Sequence, residues 1–181
     1  MKPKLKTILV STLILIAFGL PAVHAQRESS VRLQGVVAGH PQFETFVSAV
    51  RTNFAFAENQ TGSSLGLRGS YAFTNRFALE GSVNKLENSF TFGGVWLADL
   101  SAKLYVKNKG RTAVYVLGGP GTIRSSDLEN GETTVHLGVG AEILAGRHLY
   151  LRPEVRGRWF TDLLDANATF GELSLGMGWR F

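Results

Sequence analysis

The 181-residue sequence has no cysteine, only five prolines and, beyond its first 25 residues, no apolar run long enough for a membrane-spanning helix. The absence of cysteine excludes disulfides and a cysteine-linked lipid anchor. Glycine is abundant, at 21 residues. Because the mature chain lacks an apolar helix, entry into a membrane would require a closed β-barrel, whose backbone polar groups are all paired.

Residues 1–25 carry a targeting signal rather than part of a fold. Three lysines at positions 2, 4 and 6 precede an apolar core at 8–20, and Val23 to Ala25 fit a signal-peptidase site. We predict a signal peptide at 1–25, cleaved before Gln26. An N-terminal membrane anchor is the alternative, but the apolar core is short for a span.

Removing the signal peptide also removes most of the excess positive charge. The full chain has 19 basic and 14 acidic residues, and loss of three lysines leaves 16 against 14, a net charge of +2. The sequence therefore gives no support for a nucleic-acid partner. The remaining 156 residues (181 minus 25) suffice for one domain.

Alternation of apolar and polar residues, with a period of two, dominates the mature chain. After a flexible N-terminal segment at 26–41, the domain at 42–181 contains eight strand-like runs, and helical periodicity is absent. The first run has an ambiguous phase, the fifth is apolar on both faces, and Pro153 in the seventh predicts a local bulge. The runs lie at 42–56, 63–73, 76–86, 95–106, 112–119, 133–145, 149–160 and 171–181.

The connections between these runs alternate in length. The sequences TN, KNKGR and GRH alternate with the longer AENQTG, ENSFTFGG, PGTIRSSDLENGE and TDLLDANA. Short turns at one end and long loops at the other are typical of an even-stranded outer-membrane barrel. The predicted fold is therefore an all-β, eight-stranded antiparallel up-and-down transmembrane β-barrel in the bacterial outer membrane, with both termini in the periplasm.

Charged residues share the face opposite the apolar one, which predicts a lumen charge network. An eight-stranded barrel is just wide enough for side chains to fill, and balanced charges can pair there. The predicted network comprises six basic and five acidic residues: Arg68, Lys103, Arg152, Arg156, Arg158, Arg180, Glu80, Asp99, Glu142, Glu154 and Glu172.

Aromatic residues near the predicted strand ends distinguish the membrane barrel from a soluble one. A soluble lipocalin-like carrier of an apolar ligand would show the same alternation, with its charges outside. Aromatic girdles at the two interfaces favour the membrane barrel. The girdle residues are predicted to be Phe73, Phe77, Trp96, Tyr115, Trp159, Trp179 and Phe181.

Three stretches resemble the outer membrane protein A-like family of small eight-stranded barrels, also called the outer-membrane β-barrel domain. They are LGLRGSYAFTNRFALEGSV, HLGVGAEILAGRHLYLRPEVRGRWF and the terminal alternation that ends at Phe181. The resemblance covers about residues 42–181. It implies that Leu175, Met177, Trp179 and Phe181 form a signal recognised by the barrel-assembly machinery.

The sequence predicts no catalytic, cofactor-binding or metal site. The mature histidines are His40, His136 and His148, and position 138, where a lipid A deacylase pattern needs serine, is Gly138. His136 and Glu142 share a face, but six strand residues separate them by roughly 20 Å. The chain is therefore not predicted to be an enzyme.

Two functional classes remain. The first is a non-conducting barrel with a structural or surface-interaction role, in contact with outer-membrane lipid or lipopolysaccharide and with an unknown external partner. Its longest loop, at 123–133, is either a contact surface or simply solvated. The second is a small passive porin-like channel, which would need a continuous water path through the lumen.

Overall fold

A computed structural model describes residues 35–54, 57–88, 94–125, 131–160 and 169–181. Eight antiparallel strands form a closed barrel in which each strand pairs with its neighbours in sequence and the first pairs with the last. This confirms the predicted fold class. The strands are β1 Pro41–Phe54, β2 Ala57–Ala72, β3 Phe77–Asn88, β4 Val95–Lys109, β5 Thr112–Ser125, β6 Glu132–Leu144, β7 Leu149–Phe160 and β8 Thr169–Arg180.

The barrel has two different ends. Three short turns, at 73–76, 110–111 and 145–148, lie at the same end as Pro41 and Phe181, and we call this the turn end. The opposite end, the loop end, carries the other four connections. The first of them, between Phe54 and Ala57, spans only two residues, so the predicted regular alternation of short and long connections is wrong there. The predicted loop residues 89–93, 126–130 and 161–168 and the predicted signal peptide lie outside the described residues. No helix in the described part of the chain is both long and apolar enough to cross a bilayer.

Period-two alternation determines which side of the wall each side chain occupies. On β8, Leu173 and Met177 are 59% and 54% exposed, whereas Glu172 and Ser174 are 4% and 3% exposed. The same division runs through β2, β3, β4, β6 and β7, with the phases predicted from the sequence. Apolar side chains thus cover the outer wall, and polar and charged side chains fill the lumen.

Two strands are longer at the loop end than the sequence predicted. β2 begins at Ala57 instead of residue 63, so AENQTG is strand and not loop, and β5 continues to Ser125 instead of ending at residue 119. Ladder pairing continues there, for example between Arg51 and Thr61. The first extension is largely polar, and the second contains Pro120, Gly121 and one apolar side chain, Ile123, so no alternation marks them in the sequence.

The bulge predicted at Pro153 is wrong. Pro153 pairs with Leu175 in an unshifted register against β8, and the pairs recorded on either side of it against β6 also keep one register. The proline lies on the outer wall, and the missing N–H leaves a gap in the ladder without displacing the strand. A register shift occurs instead on β4, between Tyr105 and Lys107 opposite β5.

Residues 35–40, which belong to the predicted lead-in, lie against the turn end. The Val36 amide donates to Asn108 Oδ1 (2.8 Å), and Asn108 Nδ2 donates to the Val36 carbonyl (2.8 Å). Arg180 donates to the carbonyl of Gly35 (3.0 Å), and the amide of Gly39 donates to Ala72 (2.7 Å). Val36 is only 2% exposed, so this segment closes the turn end of the lumen.

Candidate functional site

The structure brings all eleven predicted lumen residues into the barrel interior, where none is more than 8% exposed. Three of the arginines come from one strand, because residues 152, 156 and 158 of β7 share a parity. Their carboxylate partners include Glu80 of β3 and Asp99 of β4, across the lumen, and Glu154 of β7 itself.

A twelfth charged residue, Glu44 on β1, also lies in the lumen and is 4% exposed. It accepts from Arg68 (2.8 Å) and forms an ion pair with Arg152 (3.4 Å). Sequence reasoning missed it because Phe46 and Val50 make the inner face of β1 partly apolar, which hides the phase. With Glu44, the described residues place six cations and six carboxylates in the interior, so these charges balance.

Arg152 is the centre of this network. Its guanidinium donates to Glu80 (2.5 and 3.0 Å) and Glu154 (2.5 Å), and its Nε donates to the hydroxyl of Tyr115 (2.5 Å). Tyr115 donates in turn to Glu154 (2.7 Å). Tyr115 is 0% exposed, so its predicted place in an aromatic girdle is wrong. Because β5 is apolar on both faces, the sequence could not show which way this ring points.

Towards the loop end the network centres on Asp99. Arg158 reaches both of its carboxylate oxygens (2.6 and 2.8 Å), and Arg156 donates to it (2.8 Å). Arg156 also forms an ion pair with Glu154 (2.8 Å), which links this group to Arg152. Two arginines on one aspartate leave it fully compensated, as a buried carboxylate requires.

Towards the turn end the network centres on Glu142. It pairs with Lys103 (3.1 Å) and Arg180 (3.0 Å) and accepts from the hydroxyl of Tyr105 (2.9 Å). Lys103 also pairs with Glu80 (2.8 Å), which completes the connection to the central group.

Glu172 is the exception among the predicted residues. It is 4% exposed, and within the described residues it forms no ion pair and its Oε1 has no hydrogen-bond partner. It lies directly across from Arg156 in the β7–β8 ladder, so that arginine is the nearest cation on the neighbouring strand.

Apolar layers close the lumen above and below the charges. At the turn end, one buried cluster combines Val36, Ala72, Ala78, Tyr105, Ala113, Tyr115 and Leu117. Near the loop end, a second combines Val50, Leu86, Val95, Leu97 and Phe170, with Ile123 and Phe160 packed against it. The ion pairs are therefore separated from water at both ends.

A serine that sequence spacing could not reveal lies beside His136. Ser101 Oγ, on β4, is 2.8 Å from His136 Nε2, and Asp99 Oδ1 is 3.7 Å from His136 Nδ1. The three types of side chain match a hydrolytic triad. However, Ser101 and His136 are both 0% exposed, and Asp99 is engaged by two arginines. A substrate carbonyl cannot reach this serine in the described structure.

The end of β8 is anchored on both sides. The amide of Phe181 donates to Pro41 (3.2 Å), its ring meets that of Phe43 edge-on at 6.0 Å, and His40 contacts a main-chain oxygen of Phe181. The ring of His148 stacks on Trp179, with 5.5 Å between centroids. The four residues of the predicted assembly signal all lie on the outer wall: Leu175, Met177, Trp179 and Phe181.

Aromatic side chains mark both edges of the apolar outer wall. Trp96 and Trp159 lie near the loop end, and they are 52% and 44% exposed. At the turn end the exposed rings are Phe43, Tyr71, Phe73, Phe77, Trp179 and Phe181. Two such belts separated by an apolar band are the signature of a barrel that spans a membrane.

Comparison with known proteins identifies this architecture. The family model for the outer membrane protein beta-barrel domain matches residues 10–181. The chain is a member of that family. This outer-membrane β-barrel protein is similar in fold to Neisserial surface protein A, with a TM-score of 0.68 and 15% identity over 79% of this chain and 99% of that one.

Two further solved barrels show the same fold. Ail, the attachment invasion locus protein of Yersinia pestis, has a TM-score of 0.54 and 19% identity, covering 80% of this chain and 100% of that one. OprG of Pseudomonas aeruginosa has a TM-score of 0.54 and 13% identity, covering 81% and 98%. No curated protein sequence matches significantly. The family places this barrel protein in the bacterial outer membrane.

Proposed function

We propose that this barrel is a closed, non-conducting structural element of the outer membrane that presents its loops at the cell surface. The observation that carries the proposal is the filling of the lumen: a charge-balanced layer of ion pairs lies between two apolar layers. An ion could pass through such a lumen only if buried ion pairs were broken. Separating one buried charge from its partner costs several kcal/mol.

Planar-bilayer conductance tests this proposal against a passive channel. The protein should first show a shift in gel mobility on boiling, which establishes that the barrel is folded. We expect the folded parent to give no discrete conductance steps in 1 M salt, whereas a known porin in the same bilayers serves as the positive control. Regular steps that scale with the amount of protein would refute a closed lumen.

We also propose that the Ser101–His136 pair is structural. Burial of both groups and the engagement of Asp99 by Arg156 and Arg158 support this assignment. Hydrolysis of ester-linked acyl chains by the refolded protein should be indistinguishable between the parent and S101A. Acyl release by the parent that S101A abolishes, with the variant still folded, would refute it.

The predicted partners follow from the outer wall and the terminal strand. The apolar wall contacts outer-membrane lipid, and Leu175, Met177, Trp179 and Phe181 present their side chains where assembly machinery could bind the end of β8. The loop end faces the cell exterior and is the surface available to an external partner.

A further inference from the structure

Two cations flank a tryptophan on the outer wall near the loop end. Lys85 of β3 lies directly across from Trp96 of β4, and Trp96 lies directly across from Arg124 of β5. All three side chains are exposed, Trp96 by 52%. Because adjacent strands are about 4.8 Å apart, the Cα atoms of the two cations lie about 10 Å from each other with the indole between them. We call these three residues the basic row.

The basic row lies at the upper border of the apolar band. On the same outer face towards the turn end, β3 continues with Val83, which is 48% exposed, and β4 continues with Ala98 and then Leu100, which is 56% exposed. Towards the loop end the outer face continues with Glu87 and Gly94. The cations therefore lie where the hydrocarbon of the outer leaflet gives way to its polar headgroups.

The lysine side chain is directed towards the headgroups. A Cβ at Gly94 would lie 2.6 Å from Lys85 Cε and 3.5 Å from its ammonium nitrogen, so the lysine passes over this glycine. Gly94 lies two residues beyond Trp96, which is roughly 6–7 Å further towards the loop end. The apolar stem thus lies on the wall while the ammonium extends towards the polar layer.

Within the described residues, neither cation of the basic row has a carboxylate partner. In the strands and turns that the structure describes, Lys85 and Arg124 form no ion pair, whereas each lumen cation has a carboxylate within 4.0 Å. Glu87 is the acid on the same face of β3, two residues away and not paired with Lys85. Unpaired cations at a headgroup layer attract the anionic groups of the lipid.

We propose that the basic row binds a phosphate group of lipopolysaccharide, the phosphorylated glycolipid of the outer leaflet. Lys85 and Arg124 donate to the phosphate oxygens, and arginine suits this role because its planar fork matches phosphate geometry. Trp96 packs against the border between sugar and acyl chains. This site rests on the outer-membrane location and is independent of whether the lumen conducts.

Native mass spectrometry of the refolded protein in detergent tests the site. We expect diphosphoryl lipid A to bind the parent, and K85Q/R124Q to weaken the apparent affinity roughly tenfold or more, as loss of charge-assisted contacts implies. Dephosphorylated lipid A should bind parent and double variant equally weakly. The matched control is K107Q/K109Q, which removes two exposed lysines at the turn end and should keep parent affinity.

Three results would overturn the proposal: equal affinity of parent and K85Q/R124Q, equal loss in the turn-end control, or no preference of the parent for phosphorylated lipid A. Should the double variant fail to fold, a protein with Trp96 as its single tryptophan replaces it. The fluorescence emission of Trp96 should shift on titration with diphosphoryl lipid A but not with dephosphorylated lipid A. In a protein that retains only Trp159, the emission should respond equally to both forms of lipid A. Absence of that difference would equally refute the site.

Discussion

Replacement of Arg152 by methionine tests whether the lumen charges stabilise the barrel as a network. Arg152 donates to Glu80 at 2.5 and 3.0 Å and to Glu154 at 2.5 Å, and it is 1% exposed. Methionine fills much of the same volume but leaves five cations facing six carboxylates. Removal of one partner of a buried pair costs about 3–5 kcal/mol, and we expect R152M to lose that amount of unfolding free energy.

The double variant E80Q/R152M separates lost pairing from lost packing. It restores the balance of charges, because a cation and a carboxylate are removed together. We therefore expect it to be more stable than the sum of the single variants predicts, with a coupling free energy of about 2 kcal/mol. R111M, which alters an exposed turn residue, is the control and should change stability by less than about 0.5 kcal/mol.

Urea titration of the protein in detergent or lipid vesicles measures these values, with tryptophan emission and gel mobility as two probes of folding. The reasoning would be refuted if R152M lost less than about 1 kcal/mol, or if the effects of the two substitutions simply added. Either outcome would mean that water reaches the lumen and screens its charges.

Three further predictions concern other parts of the barrel. A Cβ at Gly178 would overlap the ring of Tyr150, whereas a Cβ at Gly81 would meet nothing within 4 Å. In urea titration, G178A should therefore lose about 1–3 kcal/mol of unfolding free energy and G81A almost none. Similar losses in the two variants would refute the packing of β8. F181A should lower the amount of barrel in the outer membrane of cells several-fold while the purified variant refolds as the parent does, and equal cellular yields would refute an assembly signal at Phe181. N108A removes both side-chain hydrogen bonds to Val36, and the amide of Val36 should then lose hydrogen-exchange protection; unchanged protection would show that apolar packing alone holds residues 35–40.

The sequence was informative wherever the two faces of a strand differ chemically. β7 alternates Leu and Val with Arg and Glu, so its phase, and the inward direction of Arg152, Arg156 and Arg158, could be predicted. The phase of β1 could not, since Phe46 lies inside while Thr45 lies outside, and Glu44 was missed with it. The phase of a strand can be predicted from alternation only where its lipid-facing residues are apolar and its lumen-facing residues are polar. Where the two faces have similar residues, the sequence does not show which face points inward.

Pairings between distant strands were beyond the reach of sequence reasoning for a different reason. The contact between Ser101 and His136 joins β4 to β6, and no local pattern encodes which side chains meet across a lumen. The strand extensions at the loop end were missed because AENQTG and the stretch 120–125 do not alternate between apolar and polar residues, and only ladder pairing defines them.

The distribution of lumen charges along the chain has a consequence for how the barrel forms. Among the side chains that the structure describes, the first six strands contribute four carboxylates and two cations to the interior, whereas the β7–β8 hairpin contributes four cations and two carboxylates. A nascent sheet of six strands therefore carries a net charge of −2 on its concave face, and the last hairpin carries the matching +2. Pairing of the last hairpin therefore closes the barrel wall and neutralises the interior in the same step. Before that step, the sheet has unpaired edges and uncompensated charges, and both are unfavourable in lipid.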